Sequence, residues 1–116
     1  MPTYTKLALS GSTNGQPILI AATTSPGTTI HTATSSTTNF DEIWLWAVNT
    51  SASAVNLTIQ WGGTTAPNNS LILSLAAASG LYLLVPGLVL NNSLICRAFA
   101  ATTNVITISG FVNRIS

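Results

Sequence analysis

Short apolar runs separated by clusters of Gly, Pro, Asn and Ser make up the chain, and no stretch shows a sustained helical period with capping residues. Such runs are typical of the strands of β-sandwiches and barrels. We therefore predict an all-β fold, a single-domain antiparallel β-sandwich of eight or nine short strands, resembling a jelly roll. The candidate strands are residues 6–9, 17–22, 28–34, 42–49, 55–60, 71–75, 81–85, 94–100 and 105–112.

The length of 116 residues fits one domain with a core of its own. We expect the sandwich domain to span residues 1–116. Residues 1–5 show no apolar pattern, and we interpret them as a candidate N-terminal arm that orders on a neighbouring molecule. Pro86-Gly87 carries a turn signal and is predicted to end the strand that begins at residue 81.

Periodicity separates two kinds of strand. In strand 55–60 apolar residues alternate with Asn56, Thr58 and Gln60, which predicts one face in the core and one face exposed to solvent. In strand 42–49 both faces are apolar, with Ile43, Leu45 and Ala47 on one and Trp44, Trp46 and Val48 on the other. One of these faces can meet the core, but the other must be covered as well. We predict a protein interface there, with the interface candidates Trp44, Trp46, Val48, Tyr4 and Lys6.

Charge is scarce in this chain. Only 4% of residues are charged, against about 25% in a typical soluble domain. The net charge is +1, from Lys6, Arg97 and Arg114 against Asp41 and Glu42. A surface this poor in charge favours association, so we expect partners to cover much of it. No basic patch marks a nucleic-acid partner.

A membrane partner is not expected either. The longest apolar stretch, residues 75–90, is broken by Gly80 and by Pro86-Gly87. It is also shorter than the ~20 residues that a spanning helix needs.

Both carboxylates of the chain, Asp41 and Glu42, are adjacent at the start of a predicted strand. Neighbours in a strand point to opposite faces, so the two carboxylates are not expected to converge on one substrate atom, as a catalytic pair must. We interpret them as a strand entry that is solvated or that forms a salt bridge with Arg97 or Arg114.

Metal and nucleophile chemistry finds little support. A metal site needs three or four ligands, and His31, Cys96, Asp41 and Glu42 show no motif spacing. A metal on a symmetry axis, with His31 from each subunit, stays open. We interpret His31 as a polar residue of a Thr-rich strand and Cys96 as a buried small hydrophobe, although a Cys96–His31 pair is geometrically feasible. We expect no enzyme activity, no cofactor and no metal.

Trp44 and Trp46 on one strand face have two interpretations. Aromatic platforms stack sugars in carbohydrate-binding modules, where carboxylates and amides usually surround the rings. Trp is also enriched in cores and at protein interfaces. Only Glu42 shares the face of the two tryptophans, which favours the interface.

Two stretches carry a resemblance to a known class. SGSTNGQPILIAATTSPGTTIHTA (residues 10–33) and GLYLLVPGLVLNNSLICRAFAATTNVITISGFVNRI (residues 80–115) resemble small virion structural proteins of tailed bacteriophages, several families of which are capsid decoration, or cement, proteins. The resemblance implies a non-enzymatic homo-oligomer, commonly a trimer, on the outer surface of the virion's capsid. Its partner would be the major capsid protein, whose neighbouring subunits it clamps.

Two alternatives remain open. A tail, baseplate or fibre component would share the β-rich, Thr-, Ser- and Asn-rich character of the chain and its tendency to associate. A carbohydrate-binding module would use Trp44, Trp46 or Tyr82 as stacking surfaces.

Overall fold

Nine strands and no helix make up the part of the chain that the computed structural model describes, residues 3–78 and 80–116. No segment of this part is a helix able to cross a membrane. The all-β prediction is confirmed. The strands are β1 (Tyr4–Ala8), β2 (Ile18–Leu19), β3 (Thr28–Thr32), β4 (Phe40–Asn49), β5 (Val55–Trp61), β6 (Ser70–Leu75), β7 (Tyr82–Leu90), β8 (Ile95–Ala100) and β9 (Ile106–Ile115).

The strands form two antiparallel sheets. Sheet A has the order β1-β9-β4-β7, and β2 pairs with β9 on a further part of its length. Sheet B has the order β3-β8-β5-β6. Apart from β1–β2 and the β5–β6 hairpin, each strand is followed by one in the opposite sheet. With β1 and β2 taken as two pieces of one interrupted strand, this is the strand order of a jelly roll, as predicted.

The core lies between the sheets and is aliphatic. Alternation along β4 turns Ile43, Leu45 and Ala47 inward, and all three are fully buried. From β9, Ile106, Ile108 and Val112 fill the same layer, and from sheet B Val55, Leu57, Ile59 and Leu75 face them. The alternation in strands 42–49 and 55–60 is thus confirmed, because one set of alternate apolar residues in each strand is buried in the core.

Strand β7 departs from the sequence prediction. It continues through Pro86-Gly87 to Leu90, so the predicted turn there is wrong. The register against β4 shifts between Ile43 and Trp44 and again between Leu45 and Trp46. Gly87, with φ of 84°, occupies the first of these bulges. Proline is tolerated because β7 is an edge strand, where its missing N–H leaves no ladder bond unmade.

The candidate N-terminal arm lies partly outside the described residues, which exclude Met1 and Pro2. Within the described part, Tyr4 pairs with Ile115 as the first residue of β1. Thr3 N donates to the Ser116 carbonyl at 2.9 Å, which extends this pairing. The two ends of the described chain thus lie together at one edge of sheet A.

The outward face of β5 is less exposed to solvent than predicted. Gln60 is 3% exposed and Thr58 8% exposed. The loop before β3 folds over Gln60: Gly27 N donates to Gln60 Oε1 at 2.8 Å, and Gln60 Nε2 donates to Ser25 Oγ at 2.9 Å. The sequence pattern of β5 does not show that a distant loop covers its polar face.

Candidate functional site

The outer face of sheet A gathers all the interface residues predicted from the sequence. Trp44, Trp46 and Val48 project from β4 on the side opposite the buried aliphatic residues. Register through β9 brings the N-terminal strand to the same face, because Lys6 pairs with Asn113 and Asn113 pairs with Glu42. Tyr4 lies two residues before Lys6 and shares its face. That they form an interface stays a prediction.

Phe111 of β9 completes an aromatic cluster that the sequence did not single out. Its ring centre lies 6.1 Å from that of Trp44 and 5.9 Å from that of Trp46, and the two indoles are 6.3 Å apart. Interplanar angles of 13° to 28° make these offset stacks, a favourable aromatic geometry. The cluster follows from cross-strand register, since Phe111 is paired with Trp44.

The polar groups around the cluster are already engaged within the chain. Trp44 Nε1 donates to Glu42 Oε1 at 2.7 Å, and Asn113 Nδ2 donates to the same oxygen at 3.3 Å. Lys6 Nζ lies 4.7 Å from the centre of the Phe111 ring, a cation–π contact that covers one face of that ring. These contacts help to position the side chains of Trp44 and Phe111.

Gly87 allows Trp44 to lie flat against the neighbouring strand. A Cβ at this position would come within 3.0 Å of Trp44 Cζ2 and 3.1 Å of Trp44 Cε2. The positive φ of Gly87 is also a conformation that side-chain-bearing residues rarely adopt. The bulge in β7 and the position of the indole therefore depend on the same glycine.

The rim of the cluster is apolar and open to solvent. Register places Phe40, Leu83 and Val89 on the same face as the tryptophans, and each is more than two-fifths exposed. Tyr4 is 68% exposed at the β1 edge. Together with Trp44, Trp46, Phe111, Val48 and Lys6, these residues form what we call the aromatic face. Exposed apolar patches on a sheet are typical of protein contacts, so this face is where the predicted interface would lie.

A second polar cluster lies at one end of the sandwich and joins the two sheets. Asp41 of sheet A is fully buried and accepts from Arg114 Nε at 2.7 Å and from Arg114 Nη2 at 2.9 Å. His31 of sheet B donates from Nε2 to Asp41 Oδ2 at 2.7 Å. Thr34 N also donates to that oxygen, at 3.1 Å. The predicted salt bridge with Arg114 is confirmed, but the carboxylate is not solvated.

The interpretation of His31 as simply a polar residue of a Thr-rich strand is wrong. It is 2% exposed, and Nδ1 accepts from Ser10 N at 3.0 Å. With Nδ1 accepting, the proton of the neutral ring lies on Nε2, where it is donated to Asp41. A bulge in β3 between Thr29 and His31 turns the ring inward beside Ile30, and no sequence signal marks that bulge.

Burial of Asp41 by itself would raise the pKa of the carboxyl. The hydrogen bonds and charge of Arg114, helped by His31, outweigh burial and hold the Asp41 pKa below its ordinary value of 3.8. The same hydrogen bond raises the pKa of Arg114. The pair is therefore ionised at neutral pH and connects β4 to β9 within sheet A, while the hydrogen bond from His31 connects Asp41 to sheet B.

Cys96 is fully buried, and burial raises the pKa of its thiol to about 12. It is the cross-strand neighbour of His31. Both ring nitrogens of His31 are engaged elsewhere, by Ser10 N and by Asp41, so the ring does not activate the thiol. Within residues 3–78 and 80–116, no three His, Cys, Asp or Glu side chains come together in a way that could hold a metal ion.

Comparisons with known proteins give no relative for this chain: no protein-family model, no curated protein and no solved structure matches it.

Proposed function

We propose that this chain is a virion structural protein that binds the outside of a bacteriophage capsid as an oligomer and stabilises the shell. The proposal combines the sequence resemblance with one structural observation, the aromatic face. Trp44, Trp46 and Phe111 stand there as a pre-ordered apolar patch on a rigid sheet. Such a patch meets a protein surface with little loss of side-chain freedom on binding.

The clamp works by adding binding free energy that must be lost before capsid subunits separate. Burial of apolar area contributes roughly 25 cal/mol per Å², less the cost of association. Attachment of one oligomer to several shell subunits raises the effective affinity further. Lys6 and Glu42 are the charged residues at this face, so few ions have to be desolvated at such a contact.

The first experiment measures whether purified particles contain the chain, and in what ratio to the major capsid protein. A simple ratio to the shell subunits supports decoration of the capsid. A few copies per particle would favour a tail, baseplate or fibre component instead. Absence from particles overturns the virion proposal.

The second experiment tests the clamp. Heads that lack the chain are challenged with heat and osmotic shock, with and without added purified protein. Trp46→Lys places a charge in the aromatic face and is expected to abolish the protection. Thr29→Lys, on an exposed position of sheet B, is the matched control and is expected to protect as the unchanged chain does. Heads that survive equally well without the protein overturn the clamp.

The aromatic face also bears on the alternative of sugar binding. Stacking of a sugar needs an open ring face and free polar groups beside it. Here Lys6 covers one face of Phe111, and Glu42 accepts hydrogen bonds from Trp44 and Asn113. These contacts favour a protein contact. Quenching of tryptophan fluorescence by soluble glycans, unaffected by Thr29→Lys and lost in Trp46→Lys, would favour the carbohydrate-binding module.

A further inference from the structure

Strand β6 is an edge strand that lacks the protection found on the other edges. Sheet B ends at β6, and no strand of the described part of the chain lies on its far side. Its six residues, SLILSL, carry no charge and no proline, and it pairs with β5 without a register shift. Flat, apolar and uncharged edges are templates for pairing with another strand.

The other edges are each interrupted. Strand β7 contains Pro86 and two register shifts, and β3 contains a bulge between Thr29 and His31. Strand β1 carries Lys6. Charges, prolines and bulges are the devices by which proteins prevent unwanted strand pairing. Their presence on three edges and absence from the fourth distinguishes β6.

Residues 70–74 read Ser-Leu-Ile-Leu-Ser, which is a palindrome centred on Ile72. Two copies of such a strand, placed antiparallel about a two-fold axis beside Ile72, match at every position. Ser70 meets Ser74, Leu71 meets Leu73, and Ile72 meets Ile72 of the second copy. A two-fold contact uses one surface patch on both subunits, so this patch is complementary to itself.

The backbone presents the right groups at this edge. Trp61 N donates to the Asn69 carbonyl at 2.7 Å. Hydrogen bonds alternate in direction along an antiparallel strand, so Leu71 and Leu73 bond toward β5 while Ile72 and Ser74 direct their N–H and C=O groups away from it. Ser70 N is engaged by the Pro67 carbonyl at 3.1 Å. The pairing edge is therefore formed by the N–H and C=O of Ile72, the N–H of Ser74 and the C=O of Ser70, which accepts from Ser74 N of the second copy.

The side chains at this edge are incompletely covered. Ile72 is 68% exposed on the outward face. Leu71 shares the inward face with Leu73 and Leu75, since these residues pair with the core positions Ile59, Leu57 and Val55, yet it is 38% exposed. A second copy would place its Leu73 against Leu71 and its Ile72 against Ile72. Pairing would thus extend the core as well as the ladder.

We propose that β6 pairs antiparallel with β6 of a second copy of this chain, across a two-fold axis beside Ile72, and joins two copies of sheet B into one continuous sheet. Each chain has one such edge, so the assembly closes as a dimer. The contact is about 20 Å long at ~3.3 Å per residue, which is small for a specific interface and gives a concentration-dependent dimer. The proposal does not depend on the virion function, because it concerns the isolated chain.

Sedimentation equilibrium of the purified chain, up to millimolar concentration, tests the dimer. Ile72→Lys puts two like charges together at the axis and is expected to raise the dissociation constant about a hundredfold or more. Thr29→Lys is the matched control, because Thr29 is also exposed on an edge strand of sheet B and lies away from the aromatic face. A dimer that persists in Ile72→Lys, a dimer broken equally by Thr29→Lys, or a chain that stays monomeric throughout overturns the proposal.

Cross-linking tests the register independently of stability. Ile72→Cys is expected to form an intermolecular disulfide on mild oxidation, because paired Cα atoms lie about 5.5 Å apart, within disulfide range. Ser74→Cys alone is expected not to cross-link, since its counterpart is Ser70. The native Cys96 is fully buried and does not compete. Equal cross-linking of the two variants, or none by Ile72→Cys, would contradict the two-fold register.

Discussion

His31 Nε2 lies 2.7 Å from Asp41 Oδ2, and the two residues belong to opposite sheets of the sandwich. Both side chains are almost completely buried. Arg114 supplies the compensating charge from the neighbouring strand of Asp41, while its own side chain is 37% exposed. The network therefore contains two groups without access to water and one, Arg114, that has it, and this asymmetry makes the effects of substitutions predictable.

Replacing Arg114 is expected to cost more stability than replacing Asp41. Arg114→Met leaves the buried Asp41 carboxylate without its cation, which costs about 3 kcal/mol or more. Asp41→Asn keeps the shape of the side chain and frees Arg114 to turn into water, so its cost is about 1–2 kcal/mol. Urea unfolding at pH 7 measures both free energies.

The double variant Arg114→Met with Asp41→Asn serves as the control for this comparison. Losses of unfolding free energy from substitutions in one hydrogen-bonded network are not additive. The double variant is therefore expected to lose less stability than the sum of the losses in the two single variants. A larger loss for Asp41→Asn than for Arg114→Met, or strict additivity, would show that the charge on Asp41 is not what Arg114 compensates.

Acid is expected to destabilise the fold through Asp41. The pKa of Asp41 is lowered in the folded state, so the unfolded chain takes up the proton more readily. The contribution of Asp41 is fully present above the unfolded pKa of about 3.8, and is lost as the pH falls from there through the folded pKa. Urea unfolding between pH 6 and pH 2 measures it. Asp41→Asn is expected to reduce the fall in unfolding free energy over this pH range. An unchanged fall in that variant would disprove the assignment to Asp41.

Gly87→Ala is expected to destabilise the chain by about 1–2 kcal/mol, because it combines a positive φ of 84° with a methyl group against the Trp44 indole. Gly15→Ala is the control: its φ of 82° is close to that of Gly87, but a Cβ there meets no atom within 4 Å, so a smaller loss of no more than about 1 kcal/mol is expected. Thermal unfolding gives the free energies, and tryptophan emission reports whether the Trp44 ring moves. Equal losses of stability in the two variants would show that the contact between the added methyl group and Trp44 contributes nothing.

The sequence predicted the strands well where alternation is regular. β4 and β9 were placed within a few residues, and the inward and outward faces of β4 were assigned correctly, because alternation fixes a side chain's face. Pro86-Gly87 was misread as a turn, since the same two residues also suit a bulge at a sheet edge. His31 and Phe111 were missed for another reason: their roles depend on cross-strand register and on a bulge, which only the pairing of distant strands defines.

Cys96 is expected to react with disulfide reagents only through unfolding. Burial raises the pKa of its thiol to about 12 from an ordinary 9.0, which lowers the thiolate fraction about a thousandfold at neutral pH. Full burial adds a steric barrier to that chemical one. The labelling rate at pH 8 should therefore rise with urea in step with the unfolding transition, and reach the rate of a free thiol in the unfolded chain.

Asp41→Asn and Arg114→Met, which lower stability by different amounts, should accelerate labelling in the same order as they destabilise the fold. Rapid labelling of the native chain, independent of urea, would mean that the strand pair β3–β8 opens locally and that Cys96 is not held in the core.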